Sequence, residues 1–312
     1  MNSWKIGVCA GILIGVAAFA NAQQAPANGV PAHLVVTVEP HKDKQAVPVI
    51  SKEDVMVYEG KERDTVIDWV PATGEHAALE FLVLLDDSSN MSVGSQLDDI
   101  RKFIEGLPPS AKVGVAYMQN GRALIVQNLT DDHAAAAKAL RLPQGIRGVN
   151  ASPYFSVSDL AKKWPANGAR HEMLVASDGI DPYYFTPDFQ DPYLDAAIDD
   201  AQKAGIIVSA IYTPGIGHFG HSYWMAYWGQ LYLAKLAEKT GGEAYYIGFN
   251  GPPVAFAPYL EDVARRLGNQ YLLTFLAKPQ KKAGLQPVKL KTEVPNVDLV
   301  SASDVNVAPA PK

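Results

Sequence analysis

The chain has 312 residues, 48% of them apolar, and a formal net charge of −6 at neutral pH. A chain of this length and apolar content can bury a large core, and the length allows one large domain with small additions. The negative net charge argues against a basic surface of the kind that binds nucleic acid, so we expect no nucleic-acid partner.

The N-terminal residues 1–22 have the pattern of a secretory signal peptide. Lys5 precedes an apolar run over residues 6–20, and small residues end the segment. The run is shorter than the about 20 apolar residues that span a membrane. We therefore expect export to the periplasm, the cell surface or the medium, with no transmembrane span after cleavage. The sole cysteine of the sequence, Cys9, lies in this segment, so the mature chain has no disulfide and no thiolate site.

Residues 23–76 are predicted to form a linker and an N-terminal β-strand segment. Short runs of alternating apolar residues begin at His33, and Glu59 and Gly60 indicate a turn. This pattern predicts three short strands. The segment lacks a cluster of chemically reactive side chains, so we expect structural support rather than a site.

The stretch from Phe81 to Met91, FLVLLDDSSNM, is an apolar run that ends abruptly in oxygen-bearing side chains. Such a run is typical of a central strand in a parallel sheet that is covered on both faces. Ligand crevices lie outside the carboxyl ends of such strands, where Asp86, Ser88 and Asn90 would be found. Their oxygens suit a hard cation such as Mg²⁺. The alternative is a helix-capping turn, since all three residue types are good caps.

The following segment predicts one amphipathic helix over 95–106 and then two strands, beginning at Lys112 and Arg122 and joined by an Asn-Gly turn. This hairpin would add one antiparallel edge strand to a parallel sheet. An alanine-rich helix is predicted over Asp132–Leu140, with an exposed His133 at its start.

A second apolar strand runs from His171 to Asp181, HEMLVASDGID, and ends in Ser177 and Asp178. Because the carboxyl ends of parallel strands share one edge, Asp178 would lie near the first polar loop. We expect Asp181 to be a turn residue or a partner of a ligand, and His171 to lie at the opposite end of the sheet.

Two apolar strands that end in aspartates resemble the metal-ion-dependent adhesion site of von Willebrand factor A domains. Asp86 and Ser88 match the first two positions of the family motif DxSxS, and Asn90 replaces its second serine. By the same resemblance, Ser152 in the loop RGVNASPY stands for a threonine, and Asp178 for the final acidic residue. The implied metal ligands are therefore Asp86, Ser88, Asn90, Ser152 and Asp178.

The role of Ser152 has alternatives. Ser152 could simply cap a helix over Tyr154–Trp164, and a register shifted by one residue would replace it with Ala151, which offers no ligand. Thr130 is a second candidate for the threonine position, although it comes early in the chain.

The βα alternation continues to residue 268 and predicts an α/β domain over 77–268 with a doubly wound, mostly parallel, Rossmann-like sheet. The predicted elements are a helix over Leu194–Ala204, a strand from Ile206, a helix over Gln230–Thr240, a strand from Glu243 and a helix over Val254–Leu267. An aromatic insertion over 213–229 contains His218 and His221, for which packing or an exposed recognition patch is more plausible than a metal site.

Residues 269–307 predict three strand-like runs that form a small β-rich appendage with the N-terminal strands, followed by a mobile tail over 308–312. This order of segments resembles a bacterial exported subgroup of von Willebrand factor A related proteins.

The resemblance implies a protein-binding module, not an enzyme, in which Mg²⁺ or Mn²⁺ is completed by an acidic side chain of a protein partner. Two alternatives stay open. One is a metal-free envelope scaffold with a degenerate site, which the replacements at Asn90 and Ser152 favour. The other is a metal-assisted hydrolase, although neither a GxSxG nor an HExxH motif is present in the sequence.

Overall fold

The structure is a computed structural model that describes residues 29–42, 46–89, 91–144, 152–183, 187–188, 190–215, 222–249, 251 and 253–309. The predicted signal peptide, Asn90, Ala151, His218 and His221 lie outside these ranges. None of the helices within the ranges has the length and apolarity needed to cross a membrane.

In chain order, the strands are β1 (Val30–Pro40), β2 (Val55–Glu59), β3 (Glu62–Pro71), β4 (Leu79–Asp86), β5 (Ala111–Gln119), β6 (Arg122–Thr130), β7 (Arg170–Ser177), β8 (Ile206–Tyr212), β9 (Ala244–Tyr245), β10 (Gln270–Ala277), β11 (Gly284–Pro287), β12 (Lys289–Thr292), β13 (Val297–Val300) and β14 (Asp304–Val307). The α-helices are α1 (Leu97–Gly106), α2 (His133–Lys138), α3 (Pro153–Lys163), α4 (Pro192–Lys203), α5 (Tyr223–Thr240) and α6 (Ala257–Gly268).

The main sheet has six strands in the order β6-β5-β4-β7-β8-β9. Every neighbouring pair is parallel except β5 and β6, which form the predicted antiparallel hairpin. Asn120 and Gly121 at its turn both have positive φ, which is the geometry that favours an Asn-Gly pair. The predicted fold class, a doubly wound and mostly parallel sheet with one antiparallel edge strand, is confirmed.

Helices cover both faces of this sheet, which explains the uninterrupted apolar run of β4. All eight residues of β4 are buried. Because successive side chains of a strand point to opposite faces, Phe81, Val83 and Leu85 pack with α1, α2 and α6. Leu82 and Leu84 pack with α3, α4 and α5 on the other face. The strand therefore brings Asp86 to the edge of a rigid, two-sided core.

The N-terminal and C-terminal strands form a second sheet, in the order β12-β2-β3-β10-β1-β13, and this sheet has its own apolar core. The predicted association of the two terminal segments is thus confirmed. Strands β12 and β13 lie at opposite ends of the order, yet only residues 293–296 join them. That link reaches about 17 Å, whereas a flat sheet of this width would need about 24 Å, so the sheet is curled. We call this sheet, with the β11-β14 pair, the appendage.

Some predicted boundaries were wrong. The C-terminal segment has five short strands instead of three, and the strand near Glu243 is only two residues long. Helix α5 begins at Tyr223, so the second half of the aromatic insertion is helical. His133 is half-buried, with Nε2 2.9 Å from the Ala111 carbonyl oxygen, because α2 packs on β5.

A buried polar seam joins the appendage to the main sheet. Gln270, the first residue of β10, donates from Nε2 to the Glu172 carboxylate at 2.5 Å and accepts from Arg170 Nη1 at 2.5 Å. Arg266 on α6 pairs with Glu39 on β1. Burial raises the pKa of Glu172 to about 7 and lowers that of Arg266 to about 10. Buried charged side chains therefore connect the two sheets.

Candidate metal site at the carboxyl ends of two strands

Asp86 ends β4 at the predicted crevice and is held by three hydrogen bonds. Its Oδ1 accepts from Ser88 N at 2.8 Å and from Ser88 Oγ at 2.6 Å, and its Oδ2 accepts from Ser177 Oγ at 2.8 Å. These bonds favour the charged carboxylate, but burial outweighs them and raises the pKa of Asp86. Ser177 was not among the predicted ligands, although its position at the end of β7 pointed to this edge.

Asp178 follows β7 directly, as predicted, and lies beside Asp86. Its Oδ1 accepts from Ile180 N at 2.9 Å. Burial, and secondly the charge of Asp86, raises the pKa of Asp178 to about 8. The repulsion between the two carboxylates marks a place where a cation would be stabilised.

Glycine backbones lie against Asp178 on two sides. A Cβ added to Gly215 would be 2.1 Å from Asp178 Oδ2, and one added to Gly229 would be 2.0 Å from its carbonyl oxygen. Neither distance is compatible with a side chain. The loop after β8 can therefore approach the Asp178 carboxylate, and helix α5 can approach the Asp178 backbone, because both positions are glycine.

Ser152 is the N-cap of α3, as the capping alternative predicted. Its Oγ accepts from Phe155 N at 3.3 Å and donates to Asp181 Oδ2. Asp181 Oδ1 accepts from Tyr183 N at 2.8 Å, so Asp181 is both a turn residue and the partner of Ser152. A hydroxyl has one donor and two lone pairs, so one lone pair of Ser152 is left after these contacts.

Tyr154 shows that Asp178 and Asp181 share one neighbourhood. Its hydroxyl donates to the Gly179 carbonyl oxygen at 2.6 Å. Burial raises the pKa of Tyr154, and the nearby charges of Asp191, Asp178 and Asp181 raise it further. The carboxylates of Asp178, Asp181 and Asp191 thus lie near the buried Tyr154 side chain, at the carboxyl edge of the sheet.

Thr130, the second candidate for the threonine position, is excluded by the strand pairing. It lies opposite Val113, near the start of β5. Because β5 runs parallel to β4, that end of the sheet is opposite to the Asp86 end. His171, at the start of β7, also lies at that far end, as predicted; its Nδ1 is 3.0 Å from the Ala204 carbonyl oxygen.

Asp87 is a functional candidate that the sequence reasoning did not single out. It is fully buried, and Arg141 pairs with both of its oxygens, at 2.6 and 2.8 Å. Gln144 N and Gln119 Nε2 also donate to it, at 2.9 and 3.1 Å. The Arg141 guanidinium lies 3.9 Å from the Tyr117 ring centroid. Asp87 thus fastens residues 141–144 to the end of β4.

A second link closes the crevice from the side of β8. Ser89 forms a backbone bridge with Gly215, and Ser89 Oγ is 3.1 Å from Thr213 Oγ1. Among the described residues, there is no group of three or more His, Cys, Asp or Glu side chains that could hold a metal. Any cation here would depend on the two carboxylates together with hydroxyl, amide or water oxygens.

The strand order defines the class of the fold. Numbered by their order along the chain, the strands of the main sheet follow 3-2-1-4-5-6, the doubly wound order, with an antiparallel third strand. The chain has the von Willebrand factor A fold. The strand order reverses between β4 and β7, which is the switch point of the fold. Asp86 and Asp178 lie on opposite sides of this point, at the carboxyl ends of these adjacent strands.

Comparisons with solved structures returned proteins of low sequence identity to the chain. No protein-family model and no curated protein sequence matches the chain. An aerotolerance-related membrane protein from Bacteroides fragilis is 14% identical, with a TM-score of 0.45, over 61% of this chain and 98% of that one. A von Willebrand factor type A protein from Catenulispora acidiphila is 10% identical, with a TM-score of 0.42, over 92% of this chain and 76% of that one. The manganese-loaded TRAP protein of Plasmodium vivax is 10% identical, with a TM-score of 0.41, over 75% and 95%.

Proposed function

We propose that the chain is an exported protein-binding module that holds Mg²⁺ or Mn²⁺ at the crevice and captures a protein partner through an acidic side chain. The observation that carries this proposal is the pair Asp86 and Asp178. Burial raises the pKa of both carboxylates, and the charge of Asp86 raises that of Asp178 further. Neither forms an ion pair with a cationic side chain of the described residues, and a divalent cation would supply the counter-charge.

The hydrogen-bond directions around the pair fit a cation. Ser88 Oγ donates its proton to Asp86, and Ser152 Oγ donates its proton to Asp181. Both hydroxyls keep a lone pair that could face an ion. The proposed ligands are therefore Asp86, Ser88, Ser152 and Asp178, with Asn90 as the fifth candidate.

A bound divalent ion would supply an open coordination position for a carboxylate of the partner. Other residues of the chain hold the proposed ligands in place. Ser177 orients Asp86, the Gly215 and Gly229 backbones restrict Asp178, and Asp87 holds residues 141–144.

The surroundings of the crevice support a protein partner rather than a small substrate. Tyr183 is 53% exposed, and Tyr223, Trp224 and Tyr227 at the start of α5 are 74%, 51% and 50% exposed. Exposed aromatic side chains beside a polar crevice are typical of interaction surfaces.

We propose no chemical turnover. His133 and His171 lie at the far end of the main sheet, against Ala111 and Ala204. Neither histidine is placed to act as a general base at the carboxyl edge.

A metal-free scaffold is the second candidate, and one observation favours it. Asp86 is already satisfied by Ser88 and Ser177, and Asp178, with a pKa of about 8, can stay protonated at neutral pH. The crevice is therefore stable as a hydrogen-bonded cluster without any ion. In that case, the partner would bind to the aromatic side chains or to the appendage.

Calorimetric titration with Mg²⁺ and Mn²⁺ separates the two candidates. We expect weak binding to the wild type, none to Asp86→Ala or Asp178→Ala, and stronger binding to Asn90→Ser, because serine offers a compact hydroxyl to a small octahedral ion. Glu172→Gln is the matched control, since it alters a buried acid of β7 at the other end of the strand. If neither the wild type nor Asn90→Ser shows heat at millimolar metal, the metal site is refuted and the scaffold is left.

A further inference from the structure

Strand β6 forms one edge of the main sheet, and it is long and apolar. Its nine residues pair with β5 on one side. Leu124, Ile125 and Val126 are 45%, 43% and 39% exposed. Val126 has no partner in β5, since Gln127 pairs with Val115 and Ile125 with Ala116. The bulge interrupts the alternation of side chains between Ile125 and Val126, while Leu124 points to the opposite face of the strand from Ile125.

The other edges of the two six-stranded sheets carry features that prevent strand addition. Strand β9 has two residues, β12 has four with Lys289 and Lys291, and β13 has four with Asp298. Short length, charge and bulges are the usual protections of an edge, and of these three β6 has only the bulge between Arg122 and Asp131. Residues 123–130 of β6 carry no charge. An edge of this kind is suited to pairing with another strand.

The charges at the two ends of β6 point to a second copy of this chain. Arg122 begins the strand, and Asp131 follows its last residue. Both are exposed, and neither takes part in an ion pair with another described residue. In an antiparallel pair of two β6 strands centred on Val126, Arg122 lies opposite Thr130 of the second copy, next to its Asp131. Each end then receives the opposite charge.

We propose that the chain forms a two-fold dimer by antiparallel pairing of β6 with β6. The two main sheets become one continuous sheet. Leu124, Ile125 and Val126 of each copy are covered by the other, and the two Arg122–Asp131 contacts set the register.

The dimer has a consequence for function. Because the two copies run antiparallel, the carboxyl edges of their parallel strands face opposite directions. The two crevices then lie at opposite ends of the joined sheet. If the crevice binds a protein, as proposed above, the dimer joins two partner molecules that approach from opposite sides. The dimer itself does not depend on that binding.

Sedimentation over a range of concentrations tests the dimer. We expect the full-length wild type to be dimeric and Ile125→Lys to be monomeric, with an unchanged circular dichroism spectrum. Ile67→Lys is the matched control, since Ile67 is 44% exposed on an inner strand, β3, of the appendage. The Ile67→Lys variant should stay dimeric. A wild type that is monomeric at every concentration, or a dimer that survives Ile125→Lys, overturns the proposal.

Two further experiments test the register and do not depend on the lysine variant. Arg122→Asp should weaken the dimer, and Arg122→Asp with Asp131→Arg should restore it. In a Cys9→Ser background, Val126→Cys should form an intermolecular disulfide under mild oxidation, whereas Ile67→Cys should not. Facing residues of an antiparallel pair have Cα atoms about 4.5–5.5 Å apart, within the range that a disulfide spans. Absence of the Val126→Cys cross-link overturns the two-fold register.

Discussion

Replacing Glu172 by glutamine should remove a large part of the pH dependence of stability. Glu172 is 3% exposed, and Gln270 Nε2 donates to its carboxylate. Arg170 does not offset this charge fully, because its Nη1 donates to Gln270 and to the Leu267 carbonyl oxygen. The desolvated carboxylate therefore has its pKa raised from 4.5 to about 7.

The raised pKa determines the direction of the effect. Below pH 4.5, Glu172 is protonated in both the folded and the unfolded chain, and its contribution to stability is complete. Between pH 4.5 and about 7, the unfolded chain releases the proton and the folded chain keeps it, so the free energy of unfolding falls as pH rises. At 1.36 kcal/mol per pKa unit, this group alone removes ~3 kcal/mol across the interval.

Urea unfolding of the wild type and Glu172→Gln at several pH values measures this loss. We expect the two curves of unfolding free energy against pH to lie close together near pH 4.5 and to diverge toward higher pH, with Glu172→Gln the more stable by up to ~3 kcal/mol, because only the wild type loses the contribution of Glu172. Glu53→Gln, an exposed acid, is the control and should follow the wild type. Parallel curves for the wild type and Glu172→Gln between pH 4.5 and 8 would refute the assignment of a raised pKa to Glu172.

Two further predictions concern the walls of the crevice. Arg141→Ala should lower the free energy of unfolding by about 3 kcal/mol, because it leaves the fully buried Asp87 carboxylate without its cation. Arg63→Ala, at an exposed arginine, is the control. Equal losses of unfolding free energy for both variants would contradict the prediction. Gly229→Ala should cost about 1–3 kcal/mol, since the new methyl group meets the Asp178 backbone carbonyl and cannot be accommodated by a side-chain rotation. Thermal melting should show the loss of stability for Gly229→Ala. Gly106→Ala is the control and should melt like the wild type, because its added methyl group meets open space. An unchanged melting temperature for Gly229→Ala would contradict the prediction and show that α5 can move away from β7.

The strands and their polar ends could be predicted from the sequence because their signals are local. An uninterrupted apolar run indicates a buried strand, and the aspartate that follows it, Asp86 or Asp178, indicates where that strand ends. The Asn-Gly turn of the β5-β6 hairpin is equally local, since it depends on the φ angles of two adjacent residues. Hence the fold class, the hairpin and the strand-end positions of both aspartates followed from residues close together in the chain.

The tertiary structure decided which distant groups meet. Asp87 and Arg141 are separated by 54 positions, and the pattern around either of them does not indicate the other. The pairing register excluded Thr130, because an antiparallel strand carries its last residue to the far end of the sheet. The same holds for Ser152, whose capping role is local but whose bond to Asp181 depends on how α3 packs beside β7. Local sequence determined the strand ends, and the packing of helices and loops determined their partners, because hydrogen bonds and ion pairs depend on distances that only the folded chain defines.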